Sequence, residues 1–221
     1  MAFDAKAGLR LLRAAYQGDA CAAEYALGSK ADPNHTMPGD DFTPMLAAAS
    51  KGHTEVVQVL CKSRADKDRV ENQGRTPLLL AASEGHVDVV RTLSDAGANK
   101  DRAKPDGRAP LFAAAAKGHV EVVRLLCDAG AAKDMAIDDG ATPLFAAATN
   151  GHSEVALALC EAGADKDKAR SGGATPLLSA AFNGHADVAQ LLCGAKAQPD
   201  AAMEDGRTPM IVATAQGHTH V

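Results

Sequence analysis

The chain has 221 residues, a length of one or two domains, and is 46% hydrophobic but only 3% aromatic, with no tryptophan. Alanine supplies much of the apolar content, so the core is expected to be assembled from many small side chains. A net charge of −5 and a pI near 5.9 argue against broad nucleic-acid binding, which normally needs a basic face.

Residues 5–36 open the chain with GLRLLRAAYQGDACAAEYALGSKADPN. The N-terminus, MAFDAKAGLRLLRAAYQGD, lacks the apolar h-region and cleavage site of a secretory signal. Nowhere is there an apolar run long enough to span a bilayer. Leu11, Leu12, Tyr25 and Leu27 are expected to face a core, and Arg10, Arg13, Asp19 and Glu24 to face water. Gly18 precedes Gly52 by 34 residues, and His35 to Asp41 carries one extra residue, with Asp41 in place of a turn glycine.

From there a period takes over. Prolines stand at Pro44, Pro77, Pro110, Pro143, Pro176 and Pro209, each 33 residues after the last. Gly-His pairs begin at Gly52, Gly85, Gly118, Gly151, Gly184 and Gly217 with the same step. The stretch Gly140 to Asp167 shows the unit in full. Thr142 can cap a helix by accepting from a first-turn N–H, and Pro143 suits the first helical position. Leu144 to Thr149 is short and alanine-rich. Asn150-Gly151-His152 breaks it, with Gly151 free to turn left-handed. A second helix is expected over Ser153 to Glu161, with Glu154 favouring its positive end and Val155, Leu157, Leu159 and Cys160 as apolar positions. Gly163 ends it, and Ala164 to Asp167 leads into an extended finger. Such a unit cannot bury its own apolar face and needs neighbours.

This 33-residue helix–helix–turn pattern, with Thr-Pro-Leu and Gly-His, resembles the ankyrin repeat family from about residue 5 onward. The resemblance implies an all-α ankyrin-repeat solenoid of stacked helix-turn-helix units with β-hairpin-like fingers. Residues 5–36 then read as a degenerate N-terminal capping repeat. Full repeats follow at 38–70, 71–103, 104–136, 137–169 and 170–202, and 203–221 begins a sixth. With Val221 where a second helix should start, the chain reads as a fragment of a longer array, the alternative being that something else covers that flank.

Two departures from the family pattern stand out. Many ankyrin repeats place after Thr-Pro-Leu a histidine that hydrogen-bonds the threonine; here Leu46, Leu79, Phe112, Phe145, Leu178 and Ile211 stand there instead. Ala109 replaces the capping threonine in one repeat. Some family members are hydroxylated at an asparagine where this chain has Asp68, Asp101, Asp134, Asp167 and Asp200, so that modification is not expected. The recurring Lys-Asp pairs, from Lys67-Asp68 to Lys166-Asp167, read as solvated turn residues.

Residues that could carry chemistry are accounted for by the repeat. Six of the eight histidines belong to Gly-His. Equivalent atoms one repeat apart lie about 10 Å from each other, whereas zinc needs its ligands within about 2.1 Å, so no metal site is expected. Glu55, Asp88, Glu121, Glu154 and Asp187 follow each histidine in register and read as helix starters. No nucleophile elbow, phosphate loop or His-Glu-x-x-His occurs, and no enzyme activity or cofactor is expected. Cys61, Cys127, Cys160 and Cys193 fall at multiples of 33 residues, with Ser94 in the missing place. With Cys21 they make an odd set in repeat register, read as free buried thiols in a reducing, intracellular and cytoplasmic setting.

The resemblance places a partner protein on the fingers and first-helix ends. By register the finger tips are Asp40, Phe42, Asn72, Gln73, Arg75, Asp106, Arg108, Asp138, Asp139, Ser171, Glu204 and Arg207. The helix ends are Ser50, Lys51, Ser83, Glu84, Lys117, Thr149, Asn150, Phe182, Asn183 and Gln216. Residues expected to bind are Phe42, Ser50, Lys51, Gln73, Arg75, Glu84, Arg108, Lys117, Asn150, Phe182 and Asn183, with Phe42, Arg75, Arg108 and Phe182 as anchors, since aromatics and arginine dominate interfaces. Competing roles are packing onto neighbouring repeats for the aromatics and pairing with adjacent-finger aspartates for the arginines. The function implied is a non-enzymatic interaction module or scaffold binding a protein through its concave face, with no nucleic acid, small-molecule substrate or membrane insertion. Alternatives are a regulatory or targeting segment of a larger, enzymatic protein, and a structural subunit of a large assembly.

Overall fold

In the computed structural model, residues 4–37, 39, 41–218 and 220 are described. Asp40 and Val221, both singled out above, lie outside them. Helices and turns make up the described residues, which contain no strand. They form two compact units, Met1–Pro105 and Asp106–Val221.

The first unit holds α1 (Ala5–Gln17), α2 (Ala20–Gly28), α3 (Pro44–Lys51), α4 (Thr54–Lys62), α5 (Pro77–Glu84) and α6 (Val87–Asp95). The second holds α7 (Pro110–Lys117), α8 (Val120–Asp128), α9 (Pro143–Thr149), α10 (Ser153–Glu161), α11 (Pro176–Phe182), α12 (Ala186–Gly194) and α13 (Pro209–Ala215). Within each unit first helices pack on first helices (α1 on α3 on α5; α7 on α9 on α11 on α13) and second helices on second helices. Each short helix therefore finds in its neighbours the apolar contacts it lacks alone.

Local chemistry sets the starts and stops. The hydroxyl oxygens of Thr43, Thr76, Thr142, Thr175 and Thr208 accept from the N–H three residues on, at 3.1–3.4 Å. Ala109 holds the same extended backbone with no side-chain cap. The carboxylates of Asp4 and Asp19 cap α1 and α2, accepting from the N–H groups of Lys6 and Ala22. The helix predicted over Ser153 to Glu161 has those bounds. The apolar residues that replace the family histidine are buried from Leu46 to Leu178, while Ile211 is exposed.

Each finger is a tight turn rather than a strand pair. In the second unit Ile137 N–H donates to Ala141 O at 3.0 Å, Arg170 N–H to Ala174 O at 3.0 Å and Met203 N–H to Arg207 O at 2.9 Å. Successive fingers touch through Ser171 N–H to Asp139 O (2.8 Å) and Glu204 N–H to Gly172 O (3.2 Å). At Gly107 only glycine fits: its φ is +83°, and a Cβ there would come within 2.8 Å of Ile137 Cα.

Several expectations need correction. Tyr25 is 69% exposed rather than core-facing, and Ala23 and Ala26 fill the core of α2 instead. Leu12 and Leu27 are half-buried. Leu157 is 42% exposed, with Ala156 and Ala158 packed in its stead. All five cysteines are free thiols, but none is buried: Cys61, Cys127 and Cys160 are half-buried, and Cys21 and Cys193 are exposed. Partial burial still pushes the thiols of Cys61, Cys127 and Cys160 up, against a smaller opposing pull from Lys67, Lys133 and Lys166. The shift favours the thiol over the thiolate at neutral pH.

Candidate binding groove

Finger and first-helix-end residues come together in the second unit. There they enclose a groove of about 470 Å³. Its floor is Phe145 on α9, Leu178 on α11 and Val212 on α13, members of one buried apolar cluster. Phe182, at the last turn of α11 and 44% exposed, stands in its wall beside Asn183. Thr149 and Ser179 add a hydroxyl pair 2.8 Å apart. Arg170 and Arg207 come from the fingers and form the rim with Met203. The Arg170 guanidinium lies 5.2 Å from the centroid of the Phe145 ring, a cation–π distance, and its Nη1 is 3.3 Å from Asp139 Oδ2.

Of the residues expected to bind, Phe182 and Asn183 line this groove. Arg108, Lys117 and Asn150 are exposed but do not line it. The amides of Asn150 and Asn183 donate to Ala146 O and Ser179 O, both at 2.8 Å, so each also closes the end of its own helix. Arg108 pairs with Asp106 at 3.7 Å inside its own finger.

In the first unit Arg75 does the same. Its Nε and backbone N–H both donate to Glu71 Oε1 at 3.0 Å, and Glu71 is buried. Burial would push the Glu71 carboxyl up, but the bonds from Arg75 and from the Gln73 and Arg75 backbone hold it below its ordinary value. Lys51 is drawn over the Tyr16 ring at 5.1 Å. Ser50 Oγ donates to Ala47 O at 2.9 Å. Gln73 and Glu84 are exposed, and Phe42 is half-buried.

Two periodic features tie each repeat to the next. Nε2 of His53, His86, His152, His185 and His218 lies 3.0–3.3 Å from a backbone carbonyl of the preceding repeat. Second, the Asx side chain of one finger accepts from a backbone N–H of the next: Asn34 from Asp66, Asp68 from Asn99, Asp134 from Asp165 and Asp167 from Gln198, at 2.7–2.9 Å. Those aspartates are latches between repeats, not merely solvated turn residues. Among the described residues, no group of three or more His, Cys, Asp or Glu is placed to hold a metal ion. No helix among them is long and apolar enough to cross a membrane.

The groove residues missed by register include Arg170, Phe145, Ser179 and Met203. A signal existed: the column of Arg170 reads Glu71, Lys104, Ile137, Arg170 and Met203 at 33-residue steps, a position whose chemistry changes from repeat to repeat.

The sequence profile described as "Ankyrin repeats (3 copies)" matches residues 11–104 and 96–170, and that described as "Ankyrin repeat" matches 172–203. The chain belongs to the ankyrin repeat family. Its fold is that family's solenoid: the crystal structure of the human ASB11 ankyrin repeat domain superposes with a TM-score of 0.82 at 25% identity, over 92% of this chain and 90% of that one. No curated protein matches this sequence. Ankyrin repeats are generally protein–protein interaction modules, and the fold is typically non-catalytic.

Proposed function

We propose that this ankyrin chain is a non-enzymatic protein-binding module that docks a partner on its finger and first-helix face, with Phe182 as the anchor in the second unit. The observation that carries this reading is the exposed Phe182 ring over an apolar floor, inside a groove whose rim holds two arginines. Aromatic and arginine side chains are the usual energetic centres of interfaces, and a pre-formed surface loses little entropy on binding. The groove also gathers positions where repeats differ, whereas the Thr-Pro and Gly-His positions that recur serve caps and clasps.

The first-unit residues Phe42, Lys51, Gln73 and Arg75, with Ser50 and Glu84, are proposed as a secondary contact set, as are Arg108, Lys117 and Asn150 beside the groove. Arg75 is already held by Glu71, so it contributes less than Phe182. Affinity capture from native extract tests the reading, comparing wild type with Phe182→Asp and Leu157→Asp. The two side chains are about equally exposed, but Leu157 lies on a second helix, away from the fingers. Loss of partner proteins with Phe182→Asp alone supports the assignment; equal loss, or none, removes it.

A further inference from the structure

We propose that the groove of the second unit takes a partner segment in which an apolar side chain stands beside a carboxylate. This rests on the groove being the docking face and adds the chemistry of what docks there. The apolar half follows from the floor: Phe145, Leu178 and the exposed Phe182 offer a surface that gains by excluding water.

The carboxylate half follows from the rim. None of the groove's lining residues is acidic, while two are arginines, in a chain whose net charge is −5. The two arginines are not equivalent. Arg207 is fixed within its own finger, its Nε and Nη2 donating to Asp205 Oδ2 at 2.8 and 2.7 Å and its backbone N–H to Oδ1 at 3.1 Å. Those bonds hold the Asp205 carboxyl below its ordinary range.

Arg170 is held differently. Its guanidinium rests by the Phe145 ring, and a single nitrogen reaches Asp139 at 3.3 Å, both side chains being nearly half exposed. Exposed pairs of this kind are weak, and a guanidinium has five N–H donors in a planar fork suited to a carboxylate. The ring holds the guanidinium at the edge of the apolar floor. A ligand side chain on Phe182 therefore places its neighbour within reach of Arg170. At the equivalent places other repeats carry Glu71, Lys104, Ile137 and Met203, so a guanidinium fork at this place belongs to this repeat.

The test uses the full chain and three blocked, dye-labelled decapeptides followed by fluorescence anisotropy. One has a central leucine pair flanked by glutamates, the second the same pair flanked by lysines, and the third glutamates with the leucines replaced by glycine. The glutamate–leucine peptide is expected to bind at least tenfold more tightly than the other two, with the gap to the lysine peptide narrowing as salt rises. Arg170→Glu is expected to reverse the order of the two leucine peptides and Arg170→Gln to level it, in variants whose thermal unfolding matches wild type. Phe182→Ala weakens both. Equal affinity for the two leucine peptides, each weakened by Phe182→Ala, would overturn the carboxylate preference while leaving the docking face standing. Binding indifferent to Phe182→Ala, or no binding of either peptide, would overturn the docking face and this proposal with it.

Discussion

His185 Nε2 lies 3.0 Å from the carbonyl oxygen of Thr149, 36 residues earlier. A carbonyl can only accept, so Nε2 carries the proton and the neutral ring is the Nε2–H tautomer. The same ring covers Gly151, where a Cβ would come within 2.7 Å of Nδ1. The Gly-His pair is thus two halves of one clasp: the glycine of one repeat seats the histidine of the next.

Gly151→Ala is therefore expected to cost more than an exposed substitution. Residue 151 has a φ of +72°, which an L side chain rarely adopts, and the ring leaves no room. A loss of roughly 1–3 kcal/mol follows, read from the urea midpoint. Adding His185→Ala relieves the clash but not the backbone strain, so the double variant should remain below wild type.

Ala109→Thr should stabilise the chain. Ala109 has φ −87° and ψ 166°, close to the −84° and 162° of the capped Thr76. The missing acceptor is worth about 1 kcal/mol. Chemical denaturation of the two proteins checks it, and Ala109→Val, which adds bulk without an oxygen, should give no such gain.

The finger latch predicts a ranking at Asp167. Its Oδ1 accepts from the Gln198 N–H at 2.8 Å, and asparagine keeps an acceptor while alanine does not. Asp167→Ala should cost about 1 kcal/mol, and Asp167→Asn markedly less. Amide exchange at Gln198 reports the bond directly and should quicken in the alanine variant.

Glu71 makes stability pH-dependent. Its folded-state pKa lies below the ordinary 4.5, so on acidification the unfolded chain takes up the proton first. Its contribution is complete above the unfolded value and is lost as pH falls through the folded one. Glu71→Gln should lower stability at neutral pH and flatten the acid limb of the stability–pH curve, followed by thermal unfolding between about pH 3 and 7.

Ser94 stands in the cysteine column, and its buried Oγ has no hydrogen-bond partner. An unsatisfied buried hydroxyl costs about 1 kcal/mol or more, so Ser94→Cys should raise the denaturation midpoint.

How much of this was legible in the sequence depended on whether the cause was local. Caps, prolines and turn glycines act within a few residues, so the Thr142 cap and the Ser153–Glu161 helix could be read directly. Tyr25 and Leu157 were misplaced because an apolar residue in a helix does not say which flank a neighbour will cover; alanines took those inner places. The histidine clasp and aspartate latch join residues more than 30 apart, and no local pattern encodes their partners. Phe182 stands out in the sequence because it breaks the repeat. Arg170 does not stand out, because register places its neighbour Ser171 at the finger tip.

The central claim is that a partner protein meets the groove face at Phe182. A photo-crosslinking amino acid placed at position 182, and in a second protein at position 157, tests this in native extract. The account predicts discrete protein adducts from position 182 and none of them from position 157. The same adducts from both positions, or adducts only from 157, would contradict it.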